Sequence, residues 1–231
     1  MKNEMISTSC SPTIYTMKMT SLYLLVPLLL APSSLFSTTQ AQVTQNEFMI
    51  AVTINGFPPP SVEVYNDFVI TTNDIKRDEL IMFLTHVIFD SHGFQNVEDP
   101  DCKNPECRVK YTIDGRSYHG RGYFLLKGID MYKVASKDLG FGEKLVDDPD
   151  AVSRDSFMAL KVSKWIWKKQ VQRNLAYYKN SFGATTRSLH SEECAYESPL
   201  NDIAKKRYEV YQKIVSAINL QNPGSEKGCY N

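Results

Sequence analysis

Tyr118-His119-Gly120-Arg121-Gly122 decides the fold of this chain, through the segments that flank it on either side. Upstream lies Phe83-Leu84-Thr85-His86-Val87-Ile88-Phe89-Asp90-Ser91, and downstream Asp148-Pro149-Asp150-Ala151-Val152. In the upstream segment Leu80, Phe83, Leu84, Val87 and Ile88 recur at i, i+3, i+4, i+7 and i+8, one apolar stripe on an amphipathic helix. Asn73-Asp74 offer capping side chains at its start, and Asp90-Ser91-His92-Gly93 marks its end. Residues 94–122 are rich in Pro, Gly, Asp and Asn, which predicts irregular chain of the kind that lines a cleft.

Further out, helical patterns dominate. Residues 43–54 predict a helix that stops at Gly56, before Pro58-Pro59-Pro60, and residues 65–72 a short one after that turn. Ser153-Arg154-Asp155-Ser156 opens a helix over 157–168 whose apolar residues cover most of the circumference, so it belongs in the centre. Trp165 and Trp167 lie on it and are read as core packing rather than as a platform for stacking sugars. Ile203, Val210, Tyr211, Ile214 and Ile218 make an amphipathic C-terminal helix with Pro199 near its start. Strand-like alternation is minimal, so the expected class is mainly α in a single domain.

The 231 residues suffice for one domain with a real core. Charges balance at 26 against 26, which leaves no global field for nucleic acid or an anionic membrane. The run Leu22–Ala31 is apolar but too short to span a bilayer of roughly 30 Å. With Lys18 before it and Thr39-Gln40-Ala41 after it, residues 1–41 read as a secretory signal peptide cut after Ala41. Initiation at Met17 would leave a more ordinary signal. The expected mature domain is residues 42–231, and an extracellular location follows.

In their order and spacing, the three quoted blocks resemble the catalytic domain of plant-type chitinases, glycoside hydrolase family 19. The likeness runs from about Val43 to Tyr230. It implies a lysozyme-like, two-lobed helical domain around a substrate groove, and endo-hydrolysis of β-1,4-linked N-acetylglucosamine polymers with inversion. That chemistry uses an acid for the leaving oxygen and a base for water, about 6.5–9.5 Å apart. The resemblance assigns the acid to Asp90 and the base to Asp99, each one methylene shorter than the family's glutamates, with Glu98 as an alternative base. It makes Tyr118 a substrate contact and Arg121 scaffold. Glu193 and Arg207 become a charged pair supporting the acid. His190 takes the place of a substrate-binding asparagine.

Other family positions differ in this chain. Leu125 stands for a glutamine, Lys127 for a water-positioning hydroxyl and Met131 for an asparagine that grips an N-acetyl group. Phe182–Arg187 matches a late family loop. His86 reads as structural, while His92 and His119 are near the cleft without an identified partner.

Four cysteines remain after Ala41 and allow three pairings. Sequence proximity favours Cys102–Cys107 and Cys194–Cys229, and the resemblance supports the same pairing. A zinc site lacks the paired CxxC spacing it would need. The expected partner is chitin or its oligosaccharides, bound by a monomer with no metal or cofactor, and neither nucleic acid nor membrane is expected after signal cleavage. Two alternatives stand beside this reading: a catalytically impaired oligosaccharide-binding pseudoenzyme, lectin or decoy, and activity on another N-acetylated glycan such as peptidoglycan.

Overall fold

Thr44 starts the first helix, α1 (Gln45–Thr53), through a capping box: its hydroxyl accepts from the Glu47 N–H while the Glu47 carboxylate accepts from the Thr44 N–H. The computed structural model describes residues 42–230, so the expected signal peptide lies outside the described residues. Ser61 caps α2 (Val62–Thr72), which begins three residues earlier than periodicity predicts. The third helix, α3 (Arg77–Asp90), is not capped by Asn73-Asp74: Lys76 is its first flanking residue and makes no side-chain cap. Asp74 is drawn instead to Lys164 and Lys168. Nor is α3 half exposed. Every residue from Leu80 to Ile88 is buried, the polar ones included, and Thr85 returns its hydroxyl to the Ile81 carbonyl.

The stretch expected to be irregular carries small elements. A 3₁₀ turn (Pro100–Lys103) leads into α4 (Pro105–Lys110), and the Cys102–Cys107 disulfide joins the two. Strands β1 (Thr112–Ile113) and β2 (Arg116–Ser117) follow, antiparallel, with Thr112 opposite Ser117 and Ile113 opposite Arg116. Their two-residue turn, Asp114-Gly115, has both residues at positive φ, the geometry that matches the strands' right-handed twist. This ribbon is the only sheet among the described residues.

Helices α5 (Ile129–Asp138) and α6 (Lys144–Asp147) then precede α7 (Ser156–Trp167), which Asp155 caps by accepting from the Met158 N–H. Eight of the twelve residues of α7 are buried, as expected of a central helix. Trp165 and Trp167 pack in the core, and the Trp167 indole donates to Glu79 at 2.8 Å. The chain continues through a π-helical turn (Lys168–Gln172) into α8 (Arg173–Leu175). Phe182–Arg187, read as a loop, is helical: α9 (Phe182–Leu189) starts at Ser181, whose hydroxyl accepts from the Ala184 N–H. The last helix, α10 (Asn201–Ala217), buries Ala204, Arg207, Tyr211 and Ile214 but leaves Ile203 37% exposed.

Two apolar clusters form around α7. The larger holds Phe48, Phe68, Phe83, Trp167 and Tyr211; the smaller holds Tyr118, Tyr132, Leu145, Val152 and Trp165. Phe124 and Leu189 pack against both. These are the two lobes, and their seam is where the groove opens. A second disulfide, Cys194–Cys229, ties the C-terminal segment to the 3₁₀ turn before α10. Both pairings agree with sequence proximity.

Candidate active site

Asp90 is the last residue of α3, which runs through the core and delivers its carboxylate to the seam. Its Oδ1 accepts from Arg207 Nη1 at 2.7 Å and its Oδ2 faces His190 Nε2 at 3.1 Å. Arg207 arrives from α10 with 1% of its surface exposed and spans two acids, reaching Glu193 through Nε at 3.2 Å and Nη2 at 2.7 Å. Its guanidinium also lies over the Phe89 ring at 4.3 Å. Burial would raise the Asp90 carboxyl, but Arg207 and then His190 outweigh it and hold it well below the usual carboxylate range.

His86 backs this cluster. The Thr185 hydroxyl donates to the Phe182 carbonyl, so its oxygen takes the His86 Nε2 proton at 2.8 Å. The ring's Nδ1 then faces Arg207 Nη1 at 3.4 Å as an acceptor. Burial, reinforced by Arg207, keeps His86 neutral well below the ordinary histidine value. Its ring stacks on Phe182 at 4.8 Å. His86, Asp90 and His190 bring their donor atoms within 4.8 Å of one another. That set does not fit a cation, because both His86 nitrogens are engaged and the Arg207 guanidinium already holds Asp90.

Asp99 is 8% exposed, at the start of the Pro100 turn. Its Oδ1 accepts from the Asp101 N–H and its Oδ2 from Lys127 Nζ at 2.8 Å. Burial opposes the Lys127 charge, yet the bond to Asp99 outweighs it and raises Lys127 above the usual lysine value. Glu98 has a separate set of partners. Ser153 Oγ donates to it at 2.7 Å, Arg108 at 3.2 Å and His119 faces it at 3.3 Å, with Arg121 Nε 3.7 Å away. Burial raises the Glu98 carboxyl, but Ser153, His119 and Arg121 lower it further.

A pocket of about 270 Å³ opens at the seam, lined by Lys127 and His190 together with Leu125, Met131, Ile166 and Gln170. The structure thus brings Asp90, His190, Glu193 and Arg207 into one cluster and places Lys127, the partner of Asp99, on the same pocket. It does not offer Tyr118 to a ligand: that side chain is 2% exposed and its hydroxyl donates to the Val146 carbonyl at 2.9 Å. Tyr118 thereby braces the smaller lobe. Arg121 is scaffold, donating to the Ser117 carbonyl and the Tyr132 hydroxyl and pairing with Asp150. His119 is buried, and His92 faces Asn96 at the surface.

Residues 90–219 match the family model described as chitinase class I, glycoside hydrolase family 19. The chain belongs to that family. An endochitinase of Arabidopsis thaliana is 28% identical over 130 residues, 52% of this chain and 45% of the relative. Another Arabidopsis thaliana protein, named an inactive endochitinase, is 29% identical over 140 residues, 58% and 48% of the two chains. The chain spans about half the length of the curated relatives it matches. Among solved structures, chitinase C from Streptomyces griseus superposes with a TM-score of 0.61 at 21% identity, covering 82% of this chain and 81% of the other. At that identity the likeness establishes the fold, a mostly helical family-19 domain. The family-19 match begins at Asp90 itself, so the end of α3 and the loop after it fall within the matched segment.

Proposed function

We propose that this chain is a secreted chitinase-type glycoside hydrolase that cuts β-1,4-linked N-acetylglucosamine polymers internally, with inversion. Residues 1–41 are the signal peptide and residues 42–231 the catalytic domain, working as a monomer on chitin or its oligosaccharides. One observation supports the reading: a single pocket is lined by both His190 and Lys127, the partners of Asp90 at the end of α3 and of Asp99 on the following loop. Asp90 protonates the leaving oxygen and Asp99 takes the proton of the attacking water. Glu193 and Arg207 position Asp90. The four partners of Glu98 favour a scaffold role for it over the base role.

A second reading, binding without cleavage, is favoured by the state of Asp90. A carboxyl held well below its ordinary value stays ionised at neutral pH, and an ionised group cannot supply the acid step. The two readings separate in one experiment on residues 42–231: mass-resolved hydrolysis of N-acetylglucosamine hexamer, with binding measured on the same sample. Cleavage that Asp90→Asn abolishes, with binding retained, supports the hydrolase. Binding by the folded protein without cleavage supports the non-cleaving reading, and failure to bind hexamer removes both.

A further inference from the structure

We infer that Lys127 and His190 are positioning residues that cap the two carboxylates from the pocket side and hold them out of reaction. The inference rests on the proposed reading of Asp90 and Asp99 as the acid and base. Each carboxylate has one oxygen fixed from behind: Asp99 Oδ1 by the Asp101 N–H, and Asp90 Oδ1 by Arg207. The remaining oxygen of each goes to a residue that lines the pocket. Asp99 Oδ2 takes the Lys127 ammonium at 2.8 Å, and Asp90 Oδ2 takes His190 Nε2 at 3.1 Å.

The geometry of both caps is built in. A β-carbon at Gly120 would come within 3.2 Å of both Asp99 Cβ and Lys127 Cε, so the Asp99–Lys127 pair lies along bare backbone. The Lys127 ammonium also sits 5.4 Å from the centre of the Tyr111 ring, a second attraction that holds it in place. In His190 both nitrogens turn toward acids, Nε2 to Asp90 and Nδ1 to Glu193 Oε1 at 3.8 Å, so the opposite edge of the ring is carbon.

A water molecule activated by Asp99 needs the lone pairs of Oδ2, which point at an ammonium. A leaving oxygen protonated by Asp90 needs a proton on Oδ2, where His190 stands. The caps differ in mobility: Lys127 is 39% exposed on a four-carbon stem, His190 23% exposed at the end of α9. Lys127 is therefore the looser of the two caps.

Lys127→Met tests this, because it keeps the length of the stem, removes the charge and suits an apolar wall. Turnover of hexamer is expected to rise about tenfold or more in kcat with KM little changed, since a cap acts on the reacting group rather than on ground-state binding. Lys127→Arg retains the cation and should show little of the rise seen in Lys127→Met, a contrast that loss of mere packing would not give. Adding His190→Asn to Lys127→Met should raise kcat further. Unchanged or lower turnover in Lys127→Met, with hexamer still bound and the melting temperature preserved, would overturn the capping role and leave the glycan-binding reading intact. Absence of hexamer binding in the wild type and every variant would overturn both.

Discussion

Arg207 carries more of the site than any other side chain, because its buried guanidinium is shared by two acids, Asp90 and Glu193. Removing it leaves Asp90 and Glu193 at close quarters in a site that excludes water, and breaking a buried pair in this way costs about 3–5 kcal/mol. Arg207→Met should therefore lower the melting temperature by roughly 2–4 °C for each of those kcal/mol, read by calorimetry. Arg207→Lys should rescue little, because one ammonium cannot reproduce a fork that reaches Asp90 and Glu193 together. A melting temperature equal to wild type in Arg207→Met would show that the acids are held by other means. Reach is the second property set at single residues. Asp90→Glu with Asp99→Glu restores one methylene to each acid and is expected to raise hexamer turnover, whereas a fall would show a cleft already adapted to the shorter groups. The members of this cluster were legible in the sequence through the family blocks and their order. Their pairing to caps was not, because Lys127 lies 28 residues from Asp99 and His190 lies 100 from Asp90, separations that no local pattern spans.

Elements were legible where local signals and packing agree, and misread where a distant partner overrides the local signal. The helices over 43–54 and 157–168 were legible, and the capping box at Thr44 and the cap at Asp155 that start them are local. Asp74 is an apt cap by type, yet two lysines of the α7 region claim its carboxylate. Helix α9 was invisible as a helix because eight residues containing Gly183, Thr185 and Thr186 have weak intrinsic preference. It is held from outside, by Phe182 stacked between His86 and Tyr211 and by the chain near Ser225. Gly183 makes that contact possible: its N–H donates to the Ser225 carbonyl at 3.1 Å, and a β-carbon there would lie 1.9 Å from the Glu226 carbonyl oxygen. Gly183→Ala should push the C-terminal segment off α9 and cost about 1–3 kcal/mol, measurable in denaturant. The disulfide closing that segment spans 35 residues, against 5 for Cys102–Cys107. In the loop-entropy account, Cys194→Ser with Cys229→Ser should therefore destabilise by about 1.5 kcal/mol more than the same change at Cys102 and Cys107. Equal losses would place the contribution of both bridges in native contacts instead.

At the scale of the whole molecule, titratable groups shifted by burial or by ion pairing bound the pH range of stability on both sides, and the sign of each follows from linkage. His86 is held well below its ordinary value, first by burial and then by Arg207, with His190 acting the same way and Asp90 opposing. Its unfolded form takes a proton near pH 6.5, so the stability it contributes is present above that pH and is lost as pH falls through it. Asp90 is depressed by Arg207 and His190 against the effect of its burial, and Asp74 is lowered to about 2 by Lys164 and Lys168 against its own. Both are carboxylates whose unfolded value is about 3.9, so their contribution persists above that value and fails below it. On the alkaline side burial pushes Tyr132 and Tyr211 up to about 12. Their unfolded forms ionise near pH 10, so stability falls as pH rises beyond that value. The melting temperature should thus form a plateau from about pH 7 to 10. It should descend in two stages on the acid side, the first near pH 6.5 and the second below pH 4. Histidine ring-proton NMR checks the first stage directly. In the folded protein the His86 signal should keep its neutral position as pH falls through 6.5; a His86 midpoint near 6.5 would show that burial beside Arg207 does not hold the ring neutral.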